Sequence, residues 1–371
     1  MRVGVPREIK VLENRVGLTP ASVRELVAHG HDLMVEHEAG AGIGLHDDAY
    51  VAAGARIARD AAEVFAWAEM IVKVKEPQPV ECAMLREGQI LFTYLHLAPD
   101  PEQAKALIAS NAVCIAYETV TSPRGGLPLL APMSEVAGRM AVQAGAFLLE
   151  KPHGGKGILL GGVPGVAPGK VVILGGGVVG THSATIALGM GADVTVIDRS
   201  PDAMAALWRQ FGAPLKTEFS THDAIERHVT RADLVIGGVL IPGASAPKLV
   251  TRAMISRMQP GSVVVDVAID QGGCFETSHP TTHAEPTYVV DGVVHYCVAN
   301  MPGGVPRTST FALNNATLPY ALALADQGWR RALAADPHLR DGLNVAFGKV
   351  TCRPVAEALG YGFVDPMAVV N

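Results

Sequence analysis

KVVILGGGVVGTHSATIALGMGADVTVID, residues 170–198, holds a strand, a tight turn, a helix and a second strand in one run. Residues 171–174 are apolar and mostly β-branched, as a parallel strand buried on both faces requires. Gly175, Gly177 and Gly180 follow with GxGxxG spacing. The three glycines do different things. Gly175 lets the chain turn sharply, Gly177 lets backbone approach a pyrophosphate, and Gly180 lets the helix pack close to the strand. The helix N-terminus then offers unpaired N–H groups and a positive dipole end to the phosphates. Asp198 ends the second strand near the roughly 20-residue separation at which a carboxylate hydrogen-bonds the adenosine ribose hydroxyls. A carboxylate there repels a 2′-phosphate, so the stretch predicts NAD over NADP even with Arg199 beside it. A lone GxGxxG also marks ordinary turns; here strand, glycines, helix, second strand and terminal acid all agree.

The rest of the composition sets bounds on the answer. With 371 residues the chain has length for two domains, each with its own core. A net charge of -6 without basic blocks gives no footprint for nucleic acid. Cys82, Cys114, Cys274, Cys297 and Cys352 are odd in number and widely spaced, so neither a disulfide framework nor a zinc site is predicted. A reducing cytoplasm fits. Pro6 and early charges leave no room for a signal-peptide core. Residues 171–192 lack Asp, Glu, Lys and Arg, but the glycine turn assigns them to the nucleotide unit rather than to a membrane span.

Upstream, apolar and helical segments alternate, which predicts a parallel sheet. Strands are expected at residues 2–5, 31–36, 55–58, 70–74 and 90–92, with a further strand ending at 117–119. Thr19 and Pro20 read as the N-cap and first position of a helix running to Gly30. Helices are also expected near 47–53 and 61–68, and Gly40, Gly42 and Gly44 are read as loop. Residues 122–132, SPRGGLPLLAP, form a connector. Ser134 is expected to cap a helix through about Lys151. Downstream, 233–237 and 262–267 read as further strands of the nucleotide domain. From Arg307 a long Ala- and Leu-rich helix begins, and the remaining residues are expected to complete the first domain. The predicted fold is α/β, with two doubly wound parallel-sheet domains: a discontinuous substrate domain at 1–128 and 306–371, and a Rossmann NAD-binding domain at 129–305.

Four side chains outside the glycine loop have the chemistry of a reaction site. Arg15 offers a guanidinium that can hold a carboxylate by two parallel hydrogen bonds. Lys75 follows the apolar 70–74 run, and Tyr94 and His96 follow 90–92. Ligands of open parallel sheets bind beyond strand carboxyl ends. Histidine serves as a general acid or base near neutral pH. Asp270 follows 262–267, where a nicotinamide would lie. Ordinary readings compete with each: a surface salt bridge for Arg15 and Lys75, a structural histidine, a turn carboxylate. His279 and His283 have HxxxH spacing, but Pro280 and Pro286 exclude the helix that a metal site would need, and no metal is expected. Cys274 has no histidine placed to activate it.

Longer runs are more specific than these spacings. They are GVPREIK at 4–10 with Glu13, Arg15 and residues 16–20, VKVKEP at 72–77, YLHLAP at 94–99 and APMSEVAGR at 131–139. After the glycine loop come DVAIDQGG at 266–273, TTHAEPTY at 281–288 and NMPG at 300–303. Over essentially its whole length the chain thereby resembles the alanine dehydrogenase / pyridine nucleotide transhydrogenase family, and within it the alanine dehydrogenases. The resemblance implies NAD-dependent interconversion of L-alanine with pyruvate and ammonia, in a homo-hexamer. It implies that Arg15 and Lys75 bind the substrate's carboxylate and carbonyl, with Tyr94 and Met133 beside them, that His96 handles the substrate oxygen, and that Asp270 assists proton transfer. It further implies NAD contacts at Ser134, Gly175, Gly177, Val178, Val179, Gly180, Asp198, Ser220, Val239, Leu240, Val267, Asp270, Val298, Asn300 and Met301. Ala203 departs from relatives that carry Lys or Arg near the adenosine end. On this reading the glycine loop is one wall of a cleft whose opposite wall, carrying Arg15, Lys75 and His96, selects the substrate. Two alternatives share the fold: the NAD(H)-binding component of a proton-translocating transhydrogenase, and a dehydrogenase for another amino acid. Residues 133–139 match the dehydrogenase pattern rather than the RxQ-type loop of the transhydrogenase component.

Overall fold

The computed structural model describes residues 1–239 and 246–371. These divide into two compact units, Met1–Met133 with Val305–Asn371, and Ser134–Gly304. The first division falls inside the helix Ala131–Leu148, between Met133 and Ser134, a few residues past the expected 128/129 boundary.

The first unit carries β1 (Arg2–Val5), β2 (Asp32–Glu36), β3 (Arg56–Ala58), β4 (Met70–Val72), β5 (Ile90–Thr93) and β6 (Val113–Ala116). The second carries β7 (Lys170–Leu174), β8 (Asp193–Asp198), β9 (Leu215–Phe219), β10 (Leu234–Gly237), β11 (Val263–Asp266), β12 (Thr287–Val290) and β13 (Val293–Tyr296). After the long helix Pro306–Gln327, β14 (Leu343–Ala346) and β15 (Lys349–Val350) join the first sheet. Among the described residues the sheets have eight and seven strands, in the orders β15-β14-β6-β5-β4-β1-β2-β3 and β12-β13-β11-β10-β7-β8-β9. Both are mixed rather than purely parallel, since β14, β15 and β12 pair antiparallel at the margins. β12 with β13 and β14 with β15 are hairpins, whose connections are too short for the crossover a parallel pair needs, while β14 returns to pair with β6 from the far end of the chain.

In each sheet the chain starts in the middle, winds outward to one side, then returns and winds to the other. The strand order therefore reverses between β1 and β4, and between β7 and β10. Such a reversal leaves a crevice beyond the strand carboxyl ends, because the two connecting segments leave in opposite directions. β7 shows why its run is apolar throughout: Val171 and Ile173 pack with Ala184 and Ala187, while Val172 and Leu174 pack on the other face with Ile225 and Val229. Alternate side chains thus serve two cores. Each such buried side chain contributes roughly 1.5–3 kcal/mol.

Three local expectations are corrected. The helix expected to start at Ser134 begins at Ala131 and ends at Leu148, so Ser134 lies within it. Pro132 accounts for the earlier start, because the first turn leaves N–H groups unpaired anyway and tolerates proline. The strand expected at 70–74 ends at Val72: β1 pairs with it only at Met70 and Ile71 and the Val74 N–H turns to a side chain on that side, while toward β5 backbone bonds run on from the Lys73 N–H to the Phe92 carbonyl and from the Tyr94 N–H to the Val74 carbonyl. Residues 117–119 form a 3-10 turn after β6. Among the described residues no helix is long and apolar enough to cross a membrane.

Candidate functional site

At the carboxyl end of β7 the three glycines occupy three different environments. Gly175 has φ of 98°, which side chains rarely adopt. A Cβ on Gly180 would overlap the Gly175 carbonyl oxygen, so strand and helix approach closely only with glycine there. A Cβ on Gly177 would meet nothing within 4 Å: it faces open space. Gly177 also caps the helix Val178–Gly189 without a side-chain hydrogen bond, leaving first-turn N–H groups for an anion. This turn fits the pyrophosphate of a dinucleotide. Val178 and Val179 form the first helical turn, and Val179 packs within 2.9 Å of where a Gly238 Cβ would lie.

Asp198 ends β8 half-buried, as expected, and its carboxylate is engaged: Oδ2 accepts from the Gly176 N–H at 2.5 Å and Oδ1 from the Ser200 N–H at 2.6 Å. One acid thereby ties the glycine turn to the next helix. Ser220 donates its N–H to the Asp198 carbonyl at 2.9 Å. Val239 lies against Gly175; Leu240 falls outside the described residues. Asp270 is exposed in the 3-10 turn Val267–Gln271, half-buried Val267 beginning that turn. Sequence reasoning missed the acid that shapes this turn. Asp266, fully buried, accepts from the N–H groups of Ala268 at 3.2 Å and Cys274 at 2.8 Å and from the Ser278 hydroxyl at 2.6 Å. Val298 and Met301 are buried, and Asn300 sits at φ of 60° with its carbonyl accepting from His283 Nε2 at 3.1 Å. His283 thus supports a backbone turn, while His279 stacks on Tyr288 at 3.7 Å. Burial pushes the Cys274 thiol up to about 12, away from reactive thiolate.

In the first unit the site residues stand at the carboxyl ends of β1, β4 and β5. Arg15 is 2% exposed, and Glu13 grips it side-on: Nε to Oε1 at 2.7 Å and Nη2 to Oε2 at 2.6 Å. Burial works against the guanidinium charge, but Glu13 outweighs it and keeps the group firmly protonated. Nη1 lies 3.1 Å from the Met133 sulfur, which brings these two expected residues together. Tyr94 is buried, donating its hydroxyl to the Leu129 carbonyl at 2.5 Å, and burial raises its phenol far above the usual range. Its ring stacks on His96 with centroids 5.7 Å apart and planes 6° apart. Ser134, just past Met133, is half-buried on the helix Ala131–Leu148.

His96 itself is half exposed and stands in a left-handed backbone conformation, φ 49°. Glu118 holds it there. That carboxylate accepts from the His96 N–H at 2.6 Å and from the Leu95 N–H at 3.2 Å, and its Oε1 lies 3.9 Å from His96 Nδ1. Lys75 emerges after β4 with Nζ 3.2 Å from Glu76 Oε2. Beneath it lies an unforeseen charge cluster: Lys73, fully buried, donates to Glu8 at 3.0 Å and Glu81 at 2.6 Å. A lysine between valines in an apolar run was the available signal, since lysine is almost never buried unless paired.

The chain matches the family model "Alanine dehydrogenase/PNT, N-terminal domain" over residues 4–137 and "Alanine dehydrogenase/PNT, C-terminal domain" over residues 141–353. It is 62% identical over 371 residues, the full length of both chains, to a protein of Halomonas elongata named alanine dehydrogenase. A solved structure titled L-alanine dehydrogenase superposes with a TM-score of 0.94 at 52% identity, covering 97% of this chain and 99% of that one. A transhydrogenase from Sinorhizobium meliloti superposes with a TM-score of 0.81 at 25% identity, covering 95% and 99%. With both family domains matched and the glycine turn and first-unit cluster built as described, the chain belongs to the alanine dehydrogenase/PNT family.

Proposed function

We propose that this chain catalyses NAD-dependent oxidative deamination of L-alanine to pyruvate and ammonia, and the reverse reductive amination. The observation that carries the reading is Arg15: a buried guanidinium, oriented by Glu13 at a strand-order reversal, in a chain similar end to end to proteins named alanine dehydrogenase. A fixed cation in a dry place recognises a carboxylate strongly, because water neither screens nor competes. NAD, when bound, supplies the hydride acceptor for deamination, and NADH the donor for the reverse.

The chain's own groups divide the remaining work. In reductive amination ammonia adds to the pyruvate carbonyl, and water must leave the carbinolamine before hydride reaches the iminium carbon. Arg15 holds the substrate carboxylate, with Met133 and Tyr94 at its sides. Lys75 directs its ammonium to the carbonyl oxygen and stabilises negative charge there. His96 donates a proton to the departing hydroxyl and, in deamination, accepts it back. Asp270 places a carboxylate for the positive nitrogen. The dinucleotide is held by Gly175, Gly177, Val178, Val179 and Gly180 at the pyrophosphate and by Asp198 at the adenosine ribose, with Ser134, Ser220, Val239, Leu240, Val267, Asp270, Val298, Asn300 and Met301 completing the contacts. We assign the working protein to the cytoplasm, as a homo-hexamer, which light scattering tests.

The alternative role in a proton-translocating transhydrogenase is not favoured: likeness falls from 52% identity for the L-alanine dehydrogenase structure to 25% for the transhydrogenase. Following NADH oxidation with ammonium and a panel of 2-oxo acids, with NADPH in parallel, tests the proposal. Turnover with pyruvate and NADH supports it; no turnover with pyruvate overturns it, and faster turnover of a bulkier 2-oxo acid moves it to another amino acid.

A further inference from the structure

The end of β4 presents a problem that the fold must solve. β1 stops at Val5, so the neighbouring edge of the chain beyond Val72 loses its ladder partner on that side. The Val74 N–H, buried there, needs an acceptor, and an unmet buried N–H costs about 1–3 kcal/mol. Glu8, from the loop that follows β1, supplies it: Oε1 accepts from the Val74 N–H at 2.7 Å and from the Lys75 N–H at 3.3 Å. Its other oxygen takes the Lys73 ammonium, which Glu81 shares. On the opposite side Thr93 donates its hydroxyl to the Lys75 carbonyl at 2.9 Å, and Tyr117 donates to the Lys73 carbonyl at 3.0 Å. Both peptide groups of Lys75 are therefore fixed by side chains, one of them a buried carboxylate.

Burying two carboxylates with one ammonium is an expensive way to satisfy the Val74, Lys75 and Gln78 N–H groups. Burial raises the Glu8 carboxyl, with Lys73 and the Val74 N–H opposing, while Glu8 and Glu81 keep Lys73 protonated against its own burial. An apolar replacement of similar volume is often neutral or stabilising at such a place, so stability alone gives no reason for the cluster. Its geometry does: the carboxylate that Lys73 holds is the one that touches the Lys75 amide. We infer that Glu8 is a positioning residue for Lys75, with Lys73 and Glu81 as the buried clamp that keeps the Glu8 carboxylate aimed at the Val74–Lys75 backbone. The kinetic consequence rests on the reading above that Lys75 binds the substrate carbonyl; the positional one does not.

Glu8→Gln and Glu81→Gln each remove one buried carboxylate from Lys73, but only Glu8 touches the Lys75 segment. The full-length variants are compared by NADH oxidation with pyruvate and ammonium, and by trace acetylation of Lys75 read by peptide mass spectrometry. Glu8→Gln is expected to lower kcat/KM for pyruvate at least about tenfold more than Glu81→Gln, since small misplacements of a binding group cost up to 10² in rate. The NADH KM should stay constant, and Lys75 labelling should change severalfold in Glu8→Gln alone. Thr93→Val, which loosens the Lys75 carbonyl without touching the charges, should reproduce the labelling change and part of the kinetic loss even if Glu8→Gln does not fold. Equal kinetics and equal Lys75 labelling in the two glutamine variants, or unchanged labelling in Thr93→Val, would overturn the inference. A labelling change in a protein inert toward pyruvate leaves Glu8 positioning Lys75 and removes the proposed reaction instead.

Discussion

The two sheets reverse direction in the same way, at β1/β4 and at β7/β10, yet they furnish the crevices by opposite means. Beyond β7 the chain uses almost no side chains: three glycines, an uncapped helix N-terminus and one carboxylate on a loop N–H. Beyond β1 and β4 it uses buried charges, Glu13 with Arg15 and Lys73 between Glu8 and Glu81. A dinucleotide's pyrophosphate is recognised well by backbone N–H groups at any such turn. A small 2-oxo acid offers only a carboxylate and a carbonyl, so its recognition needs individual charges held at fixed points. The first crevice can be described by the shape of a loop; the second only by who holds each charge.

The largest test of this contrast falls on the charged side. His96→Ala should cut turnover with pyruvate and ammonium by about 10² to 10⁴, while NADH affinity, followed by fluorescence titration, stays near that of the parent. Near-normal turnover would remove His96 from the mechanism. On the backbone side, Gly180→Ala drives a Cβ into the Gly175 carbonyl and should destabilise by about 1–3 kcal/mol in urea titration. Gly177→Ala meets open space and should keep its stability within about 0.5 kcal/mol, yet weaken NADH binding. Equal stabilities for the two alanine variants would contradict the division of labour among the glycines.

Asp198→Asn replaces an acceptor-only group by one that donates at one position, facing either the Gly176 or the Ser200 N–H. It should cost about 1 kcal/mol and raise the ratio of NADPH to NADH use; an unchanged ratio would remove Asp198 from cofactor selection. The smallest effect concerns acid. Burial alone would raise the Glu76 carboxyl, but Lys75 and Lys10 outweigh it and draw it down to about 2, against an ordinary 4.5. Its stabilising contribution is therefore fully present above about 4.5 and is lost as pH falls toward 2. Glu76→Gln should flatten the part of the urea midpoint that declines between those values; identical acid profiles for variant and parent would show that the pair is not coupled to folding.

Much of the fold was legible because strand, turn and helix signals are local. Thr19 does cap the helix Pro20–Ala28, accepting from the Ser22 N–H, and the 171–174 run is β7. β9, β12, β13, β14 and β15 were not foreseen, since strands of two to five residues have little periodicity to detect. The helix at Ala131 starts before Ser134 because Pro132 fits its first turn, and a cap-forming residue does not oblige the chain to cap there. On the site, Arg15, Lys75 and His96 were visible as residue types at strand ends and gained roles only from the longer motifs. Glu13 and Glu76, close in sequence to Arg15 and Lys75, were in view; the distant carboxylates were not, since Glu118 reaches His96 from after the next strand and Glu8 reaches Lys73 and the Lys75 amide from the loop after β1.

From sequence alone came the alternation of elements, the glycine turn with its terminal acid, and the expectation of NAD, all governed by backbone sterics and periodicity within some thirty residues. Only the tertiary structure decided which carboxylate holds which cation, because a buried charge is stable only beside a partner, and sheet order rather than chain order chooses that partner. It likewise decided that Asp198 braces the glycine turn and that Lys73, an apparent misfit in an apolar run, anchors the acid that holds the Lys75 amide.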